Sequence, residues 1–387
     1  MRKSKHTATR GNADVPIHPG PAAVAFASVA LALFTGCGAP ADAVEDIDDE
    51  STAVAESELC ERDPMPVIFD TDMDFDDASA LAFLCQEHKQ GRIDLRAVTV
   101  TNNGVGLPGS AIRHARCVLA ACGLTDIPVA DGSPVGVHPA PIELSGAIEI
   151  TLEGAFVGCT ESTAPADVSA AELIVDTIDA SHDDVTILTT GPLSNLAEAL
   201  ELADDDGYNL ARDIEAAYVM GGAVGVPGNL FGSAAVGFDN SQEFNIWADP
   251  PAAEAVFDQM GNWDVHMVPL DATNHVPITQ AFVTALGADM TTPEAQLVHT
   301  IVTQPIPQIG ISQGLFFWWD PLAAVSMTRN DDEIVEFEKK KIRVVQDGVQ
   351  SGRTKVHNQG DKLRVGMSAD SELFEEAFLD GLNGRAP

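Results

Sequence analysis

The sequence predicts an α/β protein built on an open, mainly parallel (mixed) sheet flanked by helices. Two observations carry this. From Pro64 onward, short strand-like runs alternate with helix-like runs, the βαβα rhythm of a parallel sheet. The chain has 387 residues, 45% of them hydrophobic, enough for a sizeable core.

The elements follow in order. "MPVIFD" (65–70) reads as a short buried strand, and "DDASALAFLCQEH" (76–88) carries apolar residues at helical spacing. "DLRAVTVT" (94–101) is β-branched and alternating. "GSAIRHARCVLAACG" (109–123) reads as a helix closed by Gly123, and "IPVADG" (127–132) as a third short strand. "SAAELIVDTIDAS" (169–181) reads as a helix and "DVTILTT" (184–190) as a strand. "GPLSNLAEALEL" (191–202) starts a helix with Pro192 in its first turn, and "IEAAYVMGG" (214–222) returns to strand. There is no sign of a repeat or of a second folded domain. Ligands in such sheets bind beyond the carboxyl ends of the strands.

At the first such end, five aspartates crowd eight positions, Asp70 to Asp77, in "VIFDTDMDFDDASALAFL". Like charges this close raise one another's pKa, so a cation is the expected compensation. An EF-hand loop would need Gly at Phe75 and Glu at Leu81, and a helix rather than a strand before it. A phosphatase using D-x-D after a strand fits "VIFDTD" locally. It also needs a well-placed Lys, and the chain is poor in Lys ahead of Lys339. The third reading is D-x-D-x-x-x-D-D at a strand-to-helix turn.

On these residues the chain resembles the inosine-uridine nucleoside hydrolase family, whose signature is D-x-D-x-G-x-D-D-A. "IPVADGSP", "LTTGPLSNLAEAL", "VMGGAVGVPGN", "QEFNIWADPPAA" and "FFWWDPLAAV" resemble its later blocks in the same order. The resemblance spans roughly residues 64–383 and implies a Rossmann-like fold over 63–387. Asp74 stands where the family has Gly.

The resemblance implies a Ca²⁺ ion held by Asp72, Asp77, the main-chain carbonyl of Thr190, and Asp320. Hard oxygens suit Ca²⁺, and a metal-bound water is easier to deprotonate, with Asp72 as general base. The implied reaction is hydrolysis of the N-glycosidic bond of a nucleoside, akin to glycoside hydrolysis in its oxocarbenium-like transition state. Asp76 and Asn103 (or Asn102) would take the ribose 2′ side and Asn229 the 3′ side. Glu243 and Asn245 would take the 5′ end, with Met220 packing nearby. Trp319 stands where many relatives have His, which leans the reading towards purines through stacking. The alternative is that Trp318 and Trp319 are core or lid residues and His275 supplies the proton. A nucleoside- or ribose-binding lipoprotein without turnover is the non-enzyme alternative.

Other residues read as structural. Asn195 is a helix-turn residue, Asp249 caps the helix after it, and Asp271 is a structural acid. Asp70 is expected to orient the loop by accepting backbone N–H bonds. Asn229 has a second reading as a turn residue.

The formal net charge is −38, which argues against nucleic acid as a partner, because phosphate contacts need Lys and Arg. The expected partner is a small nucleoside; a homo-oligomer is admitted but not indicated. Arg2, Lys3, Lys5 and Arg10 precede the apolar stretch "AAVAFASVALALF" and "FTGC". Residues 1–36 therefore read as a lipoprotein-type signal peptide with Cys37 as the lipidated residue. Residues 37–62 read as an acidic tether, since 38–60 hold eight Asp or Glu and no Lys or Arg. The expected location is exported, touching the membrane only through the lipid. Of the six cysteines none forms CxxC, which disfavours a thiolate zinc site. Export permits disulfides, but spacing assigns no pair. Cys85 and Cys117 read as small buried hydrophobes.

Overall fold

The computed structural model describes residues 63–230, 237–329 and 331–386. The segments expected to be a signal peptide and a tether, with Cys37, lie outside the described residues. Nine strands form one sheet: β1 (Met65–Thr71), β2 (Ile93–Val100), β3 (Val129–Asp131), β4 (Val185–Thr189), β5 (Ile214–Met220), β6 (Asn262–Val268), β7 (Val335–Val344), β8 (Thr354–Val356) and β9 (Asp361–Ala369). Helices α1 (Phe75–Lys89), α2 (Ser110–Cys122), α3 (Ile142–Ala155), α4 (Ala170–Asp179), α5 (Ser194–Asp205), α6 (Phe244–Ala248) and α7 (Pro250–Met260) lie in the first two thirds of the chain. Then come α8 (Leu270–Thr273), α9 (Gln280–Ala288), α10 (Pro293–Val302), α11 (Pro305–Ser312), α12 (Trp319–Thr328), α13 (Asp331–Ile334) and α14 (Ser371–Leu382).

The strand order is β3-β2-β1-β4-β5-β6-β9-β7-β8. Every pair from β3 through β6 to β9 is parallel, and β7 runs antiparallel to β8 and β9. The sheet is thus mixed and mainly parallel, as the βαβα rhythm predicts. From β1 the chain winds outward through β2 and β3, then returns to the other side of β1 for β4, β5 and β6. The order reverses between β1 and β4, which makes their carboxyl ends the switch point where such sheets bind ligands.

Both faces of the sheet are covered. Val67 and Phe69 of β1 pack into a core with α1, α2, α10, α12 and α14, while Ile68 points into a second core with α4, α5 and α7. That is why β1 reads as a continuous apolar run rather than an alternating one. Helix α1 is buried from Phe75 through Glu87, a fully enclosed helix rather than an amphipathic surface one. Its polar residues are therefore buried too and need partners.

Two local expectations are corrected. Pro192 precedes α5, which begins at Ser194, because the chain first crosses from β4 over the site. Cys117 is bonded to Cys159, while Cys85 and Cys122 are free and buried. The pairing links α2 to the loop after α3 across 42 residues, a tertiary proximity that spacing does not carry.

Candidate active site

The site begins where β1 ends. Asp70 lies level with Thr99 of β2 and Thr189 of β4. Its Oδ1 accepts Thr99 Oγ1 at 2.6 Å and Asn195 Nδ2 at 2.7 Å. Asp70 therefore orients the loop through side chains and not through the backbone donors expected of it. Asn195, expected to be a helix-turn residue only, is its buried partner. Burial pushes the Asp70 carboxyl up to about 7, the two donors opposing. Its main-chain oxygen accepts Thr190 N at 2.8 Å, which ties the end of β4 to the end of β1.

The chain then turns sharply. Met73 is left-handed, with φ +59°, and its side chain is fully buried. A non-glycine residue in that region stores strain that its surroundings must hold; here Met73 N donates to Thr71 Oγ1 at 2.9 Å. Asp74 itself has φ −72° and ψ 178° and is the N-cap of α1. No glycine conformation is needed at the position where the family has Gly. Asp74 accepts Phe75 N at 2.5 Å, and Asp77 Oδ2 accepts Asp74 N at 2.8 Å, a reciprocal capping box.

Four carboxylates converge beyond this turn. Asp72, Asp76, Asp77 and Asp320 are each 3% exposed or less. Oxygens of Asp76, Asp77 and Asp320 lie within 4.8 Å of one another. Asp72 stands beside them with Oδ2 accepting Val105 N at 2.8 Å. The tight trio thus contains Asp76, which the resemblance assigns to ribose, and leaves Asp72 at its edge. Asp77 also accepts Thr71 Oγ1, and Thr190 Oγ1 at 2.6 Å. Asp76 Oδ2 accepts Asp320 N at 3.3 Å. Burial pushes Asp72, Asp76 and Asp320 well above the ordinary carboxylate range, and neighbouring carboxylates, Asp77 for all three, push them further. None of their hydrogen-bond partners among the described residues is a Lys or Arg. Two glycines make the room. A Cβ at Gly104 would lie 2.1 Å from Asp72 Oδ2, and one at Gly191 would lie 2.9 Å from Asp72 N.

The remaining predicted residues ring this cluster. Asn245 Nδ2 donates to Thr190 O at 2.8 Å and to Met220 O at 3.2 Å. Glu243 caps α6: Oε1 accepts Asn245 N, and Oε2 accepts Gly222 N and Ile246 N. Asn229 Oδ1 accepts Phe244 N at 2.9 Å, so its turn role is real. Asn103 is engaged throughout, Nδ2 with Ser194 Oγ at 2.6 Å and Val135 O, and Oδ1 with Thr101 Oγ1. Asn102 keeps a buried Oδ1 with no donor. Asp249 caps α7 through Ala252 N, and Asp271 holds Val224 N and Gly225 N after β5, both as expected.

The two tryptophans divide. Trp318 is fully buried between Phe282 and Phe378 and is a core residue. Trp319 is half-buried on the first turn of α12, beside Asp320, against Phe316 and Phe317. His275 is exposed just past α8.

A buried acid cluster lies at the switch point of a doubly wound sheet, ringed by amides, where such folds bind their ligands. The chain belongs to the inosine-uridine preferring nucleoside hydrolase family, which it matches over residues 67–376. It is 34% identical over 241 residues to the pyrimidine-specific ribonucleoside hydrolase RihA of Escherichia coli, covering 60% of this chain and 70% of that one. Its fold is similar to that of an inosine-uridine preferring nucleoside hydrolase from Bacillus anthracis, at TM-score 0.69 and 21% identity, covering 83% of this chain and 99% of that one. It is equally similar to a purine-preferring ribonucleoside hydrolase from Gardnerella vaginalis, at TM-score 0.69 and 23% identity, covering 82% and 98%. The protein is thus a nucleoside hydrolase enzyme, which sets aside the phosphatase and the binding protein without turnover.

Proposed function

We propose that this enzyme hydrolyses the N-glycosidic bond of ribonucleosides, leaning towards purines, with Ca²⁺ in the acid cluster. The observation that carries the reading is four buried carboxylates with no cationic side chain among their hydrogen-bond partners in the described residues. Such a cluster is costly unless a cation joins it. Asp72, Asp77, Asp320 and the Thr190 carbonyl would hold the ion, and Asp76, which shares the locus of Asp77 and Asp320, would stand beside it. Ca²⁺ there would offset part of the cluster's charge and would make a coordinated water easier to deprotonate.

The chain's own residues do the rest. Val105 N fixes the Asp72 carboxylate, and Asp72 accepts the proton of the attacking water as general base. Asn102 is a better acceptor for a ribose hydroxyl than Asn103, because its Oδ1 is buried without a donor. Asp76 takes the same 2′ side, and Asn229 the 3′ side. Glu243 Oε1 accepts Asn245 N, and a carboxylate oxygen has a further acceptor position for the 5′ hydroxyl. Asn245 and Met220 close that end. Holding the sugar at several hydroxyls orients its anomeric carbon towards the water. Trp319 offers its face to the departing base.

A reducing-sugar assay over a nucleoside panel, with and without EDTA, tests the reading. Asp72→Asn is expected to remove turnover while circular dichroism stays native. Wild-type rates in that variant, or after full chelation, would sink it. We further propose export with a lipid on Cys37, a leader at 1–36 and a tether at 37–62, serving salvage outside the cytoplasm. Cys37→Ser should release the protein from the membrane fraction; unchanged membrane association would defeat the anchor.

A further inference from the structure

The acid cluster is assembled from two helices that both start at it. Helix α1 brings Asp76 and Asp77 in its first turn, and α12 brings Asp320 in its first turn. The helices pack along their lengths and are joined at the near end by Asp320 N and Asp76 Oδ2, 3.3 Å apart. They are joined again at the far end. Glu87 on α1, fully buried, accepts Arg329 Nη2 at 2.5 Å, and Arg329 is the C-cap of α12 with its side chain 3% exposed. At 1.5 Å per residue the two joints lie about 16 Å apart along α1 and about 14 Å apart along α12. The two helices therefore form a nearly matched frame.

We infer that the Glu87–Arg329 ion pair is a positioning device for the acid cluster: it sets the register of α1 against α12, and so the separation of Asp76 and Asp77 from Asp320. This rests on the reading of the cluster as a Ca²⁺ site. Stability alone is a poor reason for the pair. Among the described residues Arg329 Nε and Nη1 are buried without partners, and an incompletely satisfied buried cation contributes little to folding. Glu87 does not need Arg329 for neutralisation either, since Arg92 already grips both its oxygens, at 2.5 and 2.8 Å. What Arg329 adds is a link between helices. Its guanidinium also lies 5.9 Å over the Phe83 ring of α1. Gly381 of α14 closes on the same spot: a Cβ there would come within 2.1 Å of the Phe83 ring and 3.1 Å of Arg329 Nη2.

Arg329→Met is the informative variant, because Glu87 keeps Arg92 and no charge is orphaned. The control is Glu294→Gln, which weakens the buried Lys89–Glu294 pair that ties the same helix α1 to α10. Calorimetric titration of calcium-free protein with CaCl₂ should show the Kd of Arg329→Met raised about tenfold, the low end of what residues outside the ligand shell cost. The Kd of Glu294→Gln should stay within twofold of wild type, and Arg329→Lys should recover part of the loss. A Kd within twofold in Arg329→Met, or an equal weakening in the control, overturns the proposal. Hydrogen exchange of calcium-free protein reads the frame without metal. Exchange at the Asp320 amide should quicken in Arg329→Met and not in Glu294→Gln; unchanged exchange overturns the clamp. If wild type takes up no Ca²⁺, the calcium reading alone fails, and exchange decides the clamp.

Discussion

Asp74 and Asp77 cap helix α1 reciprocally: Asp77 Oδ2 accepts Asp74 N at 2.8 Å, and the Asp74 side chain accepts backbone N–H groups of the first turn. Asp77 accepts two threonine hydroxyls on its other oxygen. The cap therefore does more than end a helix. It fixes the rotamer of a carboxylate that also belongs to the acid cluster.

Asp74→Ala should lower stability by about 1 kcal/mol, the usual cost of an N-cap. Asp74→Gly, which restores the residue the family has there, should cost only a few tenths, because glycine caps nearly as well. Asp74 has φ −72°, so the backbone gains nothing from glycine. Urea unfolding of both variants checks the order. Both should keep activity, since the contact that fixes Asp77 comes from the main-chain N of residue 74, which Ala and Gly both keep.

Calcium-free stability should fall as pH rises. Burial holds Asp70 at about 7, and Asp72, Asp76 and Asp320 are raised in the same direction. The unfolded carboxyl titrates near 4, so between there and about 7 the folded state binds more protons. By linkage that stability is complete below the unfolded pKa and is lost as pH climbs through the folded one. Ca²⁺ favours the ionised cluster, so the rise in Tm it gives should grow from pH 5 to pH 8. Scanning calorimetry with EDTA or CaCl₂ in 1 M NaCl checks this, because salt screens exposed charges far more than buried ones. A calcium shift that shrinks as pH rises would contradict it.

Much of this was legible because it is local. A strand running into D-x-D-x-x-x-D-D places the cluster at a strand end, and the βαβα rhythm places that end at the ligand-binding edge. The cap was legible in principle, since Asp74 precedes an apolar helix with an acid three residues on; the surplus of charge concealed it. Asn195 as the partner of Asp70 depends on β4 lying beside β1, a pairing of residues 125 apart. The same holds for Glu87 with Arg329, 242 apart, and for Cys117 with Cys159. Pattern reading sees periodicity and caps. It does not see which distant side chain fills a buried valence.

Reduction of Cys117–Cys159 should lower stability by about 4 kcal/mol on the loop-entropy estimate for a 42-residue separation. Cys117→Ser with Cys159→Ser should show that loss in denaturant unfolding and leave turnover unchanged, because neither cysteine touches the acid cluster. A loss of activity at full folding would show that the α2–α3 link reaches the site.

On the proposed purine lean, Trp319 is the residue to test. The side chain sits one residue before Asp320 on α12, half-buried, with its Nε1 buried and without a partner. Phe316 and Phe317 brace the ring at 6.2 and 5.7 Å, so it is presented as a fixed face rather than a loose arm. Stacking on an aromatic ring is worth about 1–3 kcal/mol per base, and a purine has the larger face. Trp319→Ala should therefore lower kcat/KM for inosine by at least about tenfold, equivalent to about 1.4 kcal/mol, and lower that for uridine less. Asp320 and the metal affinity should be unaffected, which calorimetry would show. Equal losses on both nucleosides would mean that Trp319 only supports the first turn of α12. A greater loss on uridine would place this chain with the pyrimidine-specific RihA, to which it is 34% identical, in preference as well as in descent.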